Sequence, residues 1–126
     1  MKLVVGGAYQ GKVQFVCDTF GLTKEEMIDG ATCEYEAIKE AKAIYNLQLY
    51  IKRLLMDGKE DKEFLISQIK KNPNIIVICN EMGSGLVPVE AFDRKYREMV
   101  GRVQCELAKN SKEVYRVYCG IGVKIK

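Results

Sequence analysis

A glycine-rich segment near the amino end carries the residues best suited to chemistry. Gly6 and Gly11 stand five positions apart and Lys12 follows, which is the Gly-x-x-x-x-Gly-Lys spacing of a phosphate-binding loop. Glycines allow backbone N–H groups to curl around an anion, and the lysine supplies a charge for the β- and γ-phosphates. The alternative is an ordinary glycine-rich turn. We expect nucleotide phosphates to bind to Gly6, Gly7, Ala8, Tyr9, Gln10, Gly11, Lys12 and Val13.

The residue after the lysine departs from this motif. Ser or Thr normally occupies the position and ligates Mg²⁺ through its hydroxyl, whereas this chain has Val13. A valine side chain offers no oxygen, so a metal must find another ligand or do without one. We therefore expect Mg²⁺ to accompany ATP or GTP, with binding weakened by Val13.

A second polar segment, Asn80-Glu81, directly follows five apolar residues at 75–79. That run indicates a strand covered on both faces, and sites in open α/β sheets lie at the carboxyl ends of strands. Glu81 could ligate a metal, accept a hydrogen bond from a substrate hydroxyl, or act as a base. The alternative is a loop in which the two side chains merely cap the backbone.

The segment from about 91 to 108 has the spacing of an amphipathic helix. Arg94 and Arg97, one turn apart, could clamp a phosphate or carboxylate, or contact a neighbouring subunit. The pattern alone favours a solvated face with ordinary ion pairs, such as Asp93 with Arg97. The predicted core stripe is Phe92, Tyr96, Met99, Val103 and Leu107, and the opposite side holds Arg94, Arg97, Gly101, Gln104 and Cys105.

The elements that position these residues alternate between strands and helices, which predicts a single α/β domain over 1–126, with a mostly parallel sheet and helices on both faces. The helix after the glycine-rich loop should end at Gly21, and a long helix should run from 34 to 56. Strands are predicted at 2–5, 27–30, 75–79, 114–119 and 122–126, and helices at 12–20, 34–56, 60–71 and 91–108.

Composition excludes several functions. The net charge of +3 comes without a basic run, and no stretch approaches the roughly 20 apolar residues of a membrane span, so we expect neither nucleic-acid nor membrane partners. The five cysteines form no C-x-x-C pair and the chain has no histidine, which argues against zinc and for reduced thiols in a cytoplasmic protein. Histidine-based catalysis is excluded.

The motifs together resemble the adenosylcobinamide kinase/adenosylcobinamide-phosphate guanylyltransferase family of cobalamin biosynthesis, over roughly half of the chain. The residues that carry the resemblance are Gly6-Gly7-Ala8-x-x-Gly11-Lys12, Asn80-Glu81-x-Gly83-x-Gly85-x-Val87-Pro88, Arg94-x-Tyr96-Arg97, Gly101-Arg102 and the final Cys119-Gly-Ile-Gly-Val-Lys-Ile-Lys126. It implies a P-loop NTPase-like α/β fold and a homo-oligomer, namely a trimer. It also implies phosphorylation of adenosylcobinamide with ATP or GTP, followed by GMP transfer through a guanylylated histidine.

The resemblance also implies roles for single residues. Lys12 and Glu81 would act in catalysis, with Asn80 near the reacting groups. Asp29 would correspond to a family acid that follows a middle strand and ligates Mg²⁺. Arg94 and Arg97 would support the loop or a subunit contact, and the ligands would be a nucleotide and a corrinoid.

Two departures limit these implications. Val13 replaces the loop hydroxyl, and without histidine the family's guanylyl transfer is excluded. The chain is also shorter than the family between its first helix and the predicted helix at 34–56. Three hypotheses follow: a cobinamide kinase-like enzyme, a nucleotide- or corrinoid-binding relative without turnover, or a structural relative kept as an oligomer or partner.

Overall fold

The computed structural model describes residues 1–59, 62–82 and 90–126. Within them, strands and helices alternate as expected for an α/β fold. The strands are β1 (Lys2–Gly6), β2 (Met27–Asp29), β3 (Ala43–Tyr45), β4 (Ile76–Asn80), β5 (Glu113–Tyr118) and β6 (Ile121–Lys124). The α-helices are α1 (Lys12–Phe20), α2 (Leu47–Met56), α3 (Lys62–Lys70) and α4 (Ala91–Asn110), with short 3₁₀ turns at Lys24–Glu26 and Tyr35–Lys39.

These strands form one sheet in the order β2-β3-β4-β1-β5-β6. Every neighbouring pair is parallel except β5 and β6, which form an antiparallel hairpin. The carboxyl ends of the five parallel strands therefore meet at one edge of the sheet. The loop after β1 and the residues that follow β2, β3 and β4 all lie along this edge.

Helices cover both faces of the sheet, as the uninterrupted apolar run at 75–79 predicts. In β4, Val77 packs into the larger core cluster, with residues of α2, α3 and α4, whereas Ile76 and Ile78 pack into the smaller cluster with Val16 of α1. Leu3 and Val4 of β1 divide between the two clusters in the same way. A mostly parallel α/β sheet is therefore confirmed.

The predicted long helix at 34–56 is wrong. The chain there forms the 3₁₀ turn, strand β3 between β2 and β4, and only then helix α2. Asn46, in the left-handed conformation with φ 56°, separates the strand from the helix. The apolar spacing misled because Ile38 and Ile44 are fully buried, but from a turn and a strand rather than from one helical face.

Gly30 explains why the chain turns sharply after β2. Its N–H donates to the carbonyl of Tyr45 at 2.8 Å, and a Cβ at this position would lie 2.3 Å from the carbonyl oxygen of Asn46. Only glycine allows this approach between the ends of β2 and β3.

Smaller differences concern helix faces. Phe92, predicted as core, is 37% exposed, and Gln104, predicted on the solvent side, is half-buried. The motif residues Gly83, Gly85, Val87 and Pro88 lie outside the described residues. Where the structure describes the chain, no helix combines the length and apolar character that crossing a membrane requires.

Candidate functional site

The loop that joins β1 to α1 presents main-chain donors at the amino end of a helix. Gly11, with φ 84°, begins α1 without a side-chain cap, and the first turn contains no acidic residue. Among the described residues, the N–H groups of Ala8, Tyr9 and Gly11 donate to no acceptor. Such amides, together with the positive end of the helix dipole, are what an anion needs.

Lys12 lies inside this loop. Its side chain is largely buried, with the residue 8% exposed, and its Nζ donates to the Gly7 carbonyl at 2.7 Å. Burial lowers the pKa of Lys12, and the charges of Cys79 and Glu81 partly oppose that effect. The ammonium is therefore held within the loop, where it has too few partners to offset its desolvation fully.

The loop is fastened to the turn between β5 and β6. The carbonyl of Gln10 accepts the Gly120 N–H at 2.7 Å, and its side-chain Oε1 accepts the Cys119 N–H at 2.7 Å. Cys119 and Gly120 both have positive φ, as in the two-residue turns that favour hairpins. A Cβ on Gly11 would lie 3.1 Å from the Cα of Gly120, so glycine allows the loop and turn to touch.

An open cleft of about 460 Å³ borders the loop. The loop does not fill it with its own side chains, because Tyr9 projects fully into solvent. Val13 lines the cleft with an apolar surface. The complete lining is Ala8, Tyr9, Gln10, Gly11, Lys12, Val13, Gln14, Tyr45, Asn46, Gln48, Leu49, Ile78 and Asn80.

Two glutamines that the sequence analysis did not assign to the site hold the end of β4. The Asn80 N–H donates to Oε1 of buried Gln48 at 3.0 Å, and Gln48 Nε2 donates to Asn46 Oδ1 at 3.3 Å. On the other side, Gln104 Nε2 donates to the Asn80 carbonyl at 2.8 Å and approaches the sulfur of Cys79 at 3.2 Å. The sequence offered one signal for Gln48, namely a glutamine among the apolar residues of the 47–56 segment.

Glu81 lies beside the loop and faces a positive charge. Its N–H donates to the Gly6 carbonyl at 2.9 Å. Its two carboxylate oxygens approach Arg116 of β5, with Oε1 2.8 Å from Nε and Oε2 accepting from Nη2 at 2.9 Å. Both side chains are partly exposed, so the pair adds little to stability but orients the carboxylate.

Comparison with known proteins identifies the family of the chain, which the geometry of the site does not. Residues 34–125 match the family described as cobinamide kinase / cobinamide phosphate guanyltransferase (CobU), which is well over half of the chain. The chain belongs to this family. The expected resemblance is thereby confirmed for that range, whereas loop residues 6–13 and Asp29 lie outside it.

Two curated relatives are both named bifunctional adenosylcobalamin biosynthesis protein CobU. The protein of Escherichia coli (strain K12) is 41% identical over 63 residues, which cover 49% of this chain and 35% of the relative. The protein of Salmonella typhimurium (strain LT2) is 38% identical over 68 residues, which cover 53% of this chain and 38% of the relative. The matched stretches thus span little more than a third of these CobU proteins.

Asp29, the expected counterpart of a CobU-family acid, is not among the residues that line the cleft beside the loop. It ends β2 at the margin of the sheet, three strand positions or roughly 14 Å from β1. Its Oδ1 accepts the Ala31 N–H at 2.9 Å and Asn46 Nδ2 at 3.1 Å. In this arrangement Asp29 caps the turn after β2 and positions Asn46.

The arginines of α4 also stand apart from the loop. Among the described residues that line the loop cleft, neither Arg94 nor Arg97 occurs, and Arg97 instead borders a shallow surface pocket with Lys62 and Arg102. Two other residues of α4 contact residues that line the cleft: Gln104 Nε2 donates to the Asn80 carbonyl, and the Tyr96 hydroxyl donates to the Gln48 carbonyl at 2.7 Å.

Mg²⁺ beside a phosphate usually takes one or two carboxylate ligands from the protein, and the described residues that the sequence analysis offered for this role are poorly placed to supply them. Val13 has no oxygen, the Glu81 oxygens face Arg116, and Asp29 does not line the cleft. Within the described parts of the chain, no group of three or more His, Cys, Asp or Glu side chains could hold a metal ion.

Proposed function

We propose that this CobU-family chain binds the phosphates of ATP or GTP in the cleft at residues 6–13, as a cobinamide kinase-like protein. The observation that carries the proposal is the buried ammonium of Lys12 within a loop where, among the described residues, the N–H groups of Ala8, Tyr9 and Gly11 have no acceptor. The open cleft beside it has room for a nucleotide. Phosphoryl transfer depends mostly on positioning and charge stabilisation, which such a loop can supply.

Of the two activities in the family description, kinase activity is the one that this chain's residues can support. The family's guanylyl transfer, as the resemblance implies it, uses a histidine, and the 126 residues contain none. The acceptor would be the hydroxyl of a corrinoid side chain. Glu81 could act as a base towards that hydroxyl only after its carboxylate leaves Arg116.

A second candidate is a binding protein without turnover. The side chains available as metal ligands favour this second candidate, because Val13 supplies no ligand and the Glu81 carboxylate already faces the guanidinium of Arg116. Weak neutralisation of the transferred phosphoryl group would slow catalysis while leaving phosphate binding possible.

An assay with cobinamide separates the two candidates. The kinase predicts magnesium-dependent consumption of ATP or GTP that requires cobinamide. The binding protein predicts an increase in Tm with nucleotide and no turnover, since a ligand that binds only the folded state raises stability. If neither nucleotide changes Tm or is consumed, the proposed function is contradicted.

We also propose a homo-oligomer, and a trimer by resemblance to the family. The β5–β6 hairpin supports it, because β6 is the margin of the sheet and its Ile121 is 68% exposed. Further exposed apolar side chains there are Tyr118, Val123 and Ile125. Light scattering should give a multiple of the 14.3 kDa chain mass, and a monomer at assay concentrations would contradict this proposal.

A further inference from the structure

The carboxylate of Glu81 presents a problem for phosphate binding at the loop. It lies beside the loop through the main-chain bond to Gly6, and its charge acts on the ammonium of Lys12. Glu81 does not itself line the cleft, but a polyphosphate held by Lys12 would lie within the influence of this second negative charge. Sites that combine carboxylates with phosphates usually place a divalent cation between them, because like charges at short range repel.

Arg116 supplies a positive charge at this carboxylate from the protein itself. The two contacts of 2.8 and 2.9 Å bring the guanidinium to both oxygens. Arg116 pairs in register with Val5 in the strand that leads into the loop, and its guanidinium lies 4.8 Å from the ring centre of Tyr118. A guanidinium presents its N–H donors in a planar fork that matches a carboxylate, so Arg116 can neutralise Glu81 without a metal ion.

We infer that the loop takes its polyphosphate ligand without a divalent cation, and that Arg116 replaces the cation by neutralising Glu81. The absence of an oxygen at Val13 agrees with this, and so does the position of Asp29, which does not line the cleft beside Lys12. The inference rests on the proposed binding of nucleotide phosphates at this loop, and it favours the candidate without turnover, because the kinase candidate is expected to depend on Mg²⁺.

Calorimetric titration of the intact chain with ATP, GTP and inorganic tripolyphosphate tests it, once with excess EDTA and once with Mg²⁺. The expected Kd values in the two conditions agree within about threefold, since no side chain links the metal to the protein. Binding more than about tenfold tighter with Mg²⁺ would overturn the inference and leave the proposed function standing. Failure to bind in both conditions would remove both.

Variants of the ion pair sharpen the test. Arg116→Leu exposes the ligand to an unpaired carboxylate, so its metal-free Kd should rise about five- to tenfold, and Mg²⁺ should recover part of the loss. Adding Glu81→Gln to that variant should restore metal-free binding. Arg102→Leu, which breaks the exposed pair with Glu98, is the matched control.

Unchanged metal-free binding in a folded Arg116→Leu protein would contradict the role of Arg116. Thermal unfolding monitors the fold of each variant. If Arg116→Leu does not fold, the double variant can replace it. The comparison of wild-type Kd values in EDTA and in Mg²⁺ also still tests the inference, because it needs no substitution.

Discussion

Asp29 and Glu81 both lie at the carboxyl end of a parallel strand, on the same side of the sheet, yet their surroundings differ. Asp29 ends the marginal strand β2 and accepts two hydrogen bonds that shape the turn after it. Glu81 follows β4, which pairs directly with β1, and lies against the start of the loop. The place of a strand in the sheet order, rather than the residue type at its end, decides which acid can act at the loop.

The comparison predicts that substitutions in the loop at residues 6–13 change the affinity for the ligand. It predicts that substitution of Asp29 changes the free energy of unfolding instead. Lys12→Ala tests the first half and should have the largest effect. Losing a charged hydrogen bond to phosphate should weaken ATP or GTP binding by about 1.5–3 kcal/mol. Calorimetry against Lys71→Ala, an exposed lysine elsewhere, checks it. Binding indifferent to Lys12 would show that the loop is not the site.

Asp29→Ala tests the second half. The change leaves the Ala31 N–H and the Asn46 amide without their acceptor, so the free energy of unfolding should fall by about 1–3 kcal/mol. Nucleotide affinity of the folded protein should stay within about twofold, because Asp29 does not line the cleft and contacts it only through Asn46. Urea unfolding and calorimetry measure the two effects, with exposed Glu25→Ala as control. A large loss of affinity with unchanged stability would reverse the comparison.

Val13→Thr asks whether the loop end can regain a metal ligand. A hydroxyl at this position should tighten binding of magnesium-nucleotide about three- to tenfold, with no gain in EDTA. Val13→Ile, which keeps the position apolar, should gain nothing. If the Val13→Thr variant and the wild type have equal Kd values for magnesium-nucleotide, the loop geometry does not direct this side chain towards a phosphate-bound metal.

The pH dependence of binding should report Lys12 with the smallest effect. Burial lowers the pKa of Lys12 in the free protein, and a bound anion favours its charged form, so the pKa rises on binding. Affinity should therefore fall as pH rises through the free-protein pKa, below the ordinary lysine range, and binding should take up protons. Titrations above about pH 8, where nucleotide phosphates no longer titrate, check this. A pH-independent wild type matching Lys12→Ala would contradict it.

Much of the fold could be predicted because strong local signals agree with it. The helix Lys12–Phe20 ends at Gly21, and the buried strand β4 lies within one residue of its prediction. The 34–56 region could not, because a three-residue strand such as Ala43–Tyr45 has too few residues to show a period. Without β3, the distance of Asp29 from the loop could not be inferred either.

The residues of the candidate site also differ in whether local sequence signals could predict them. The glycine-rich loop and Glu81 could be singled out from local motifs, and the structure brings them together through the pairing of β1 with β4. Arg116 and Gln104 reach the site through long-range contacts from β5 and α4, which no spacing in the sequence encodes. Gln104 was predicted on the solvent side because its helical angle, taken alone, points away from the apolar stripe.

Nuclear magnetic resonance of the amide groups during titration with GTP or ATP tests the central claim most directly. If nucleotide phosphates bind at residues 6–13, the largest shift changes should occur at amides 8–13 and should saturate with the ligand. The turn after Asp29, residues 30–33, should change little. Saturable changes centred on that turn, or none at all in the loop, would contradict the account.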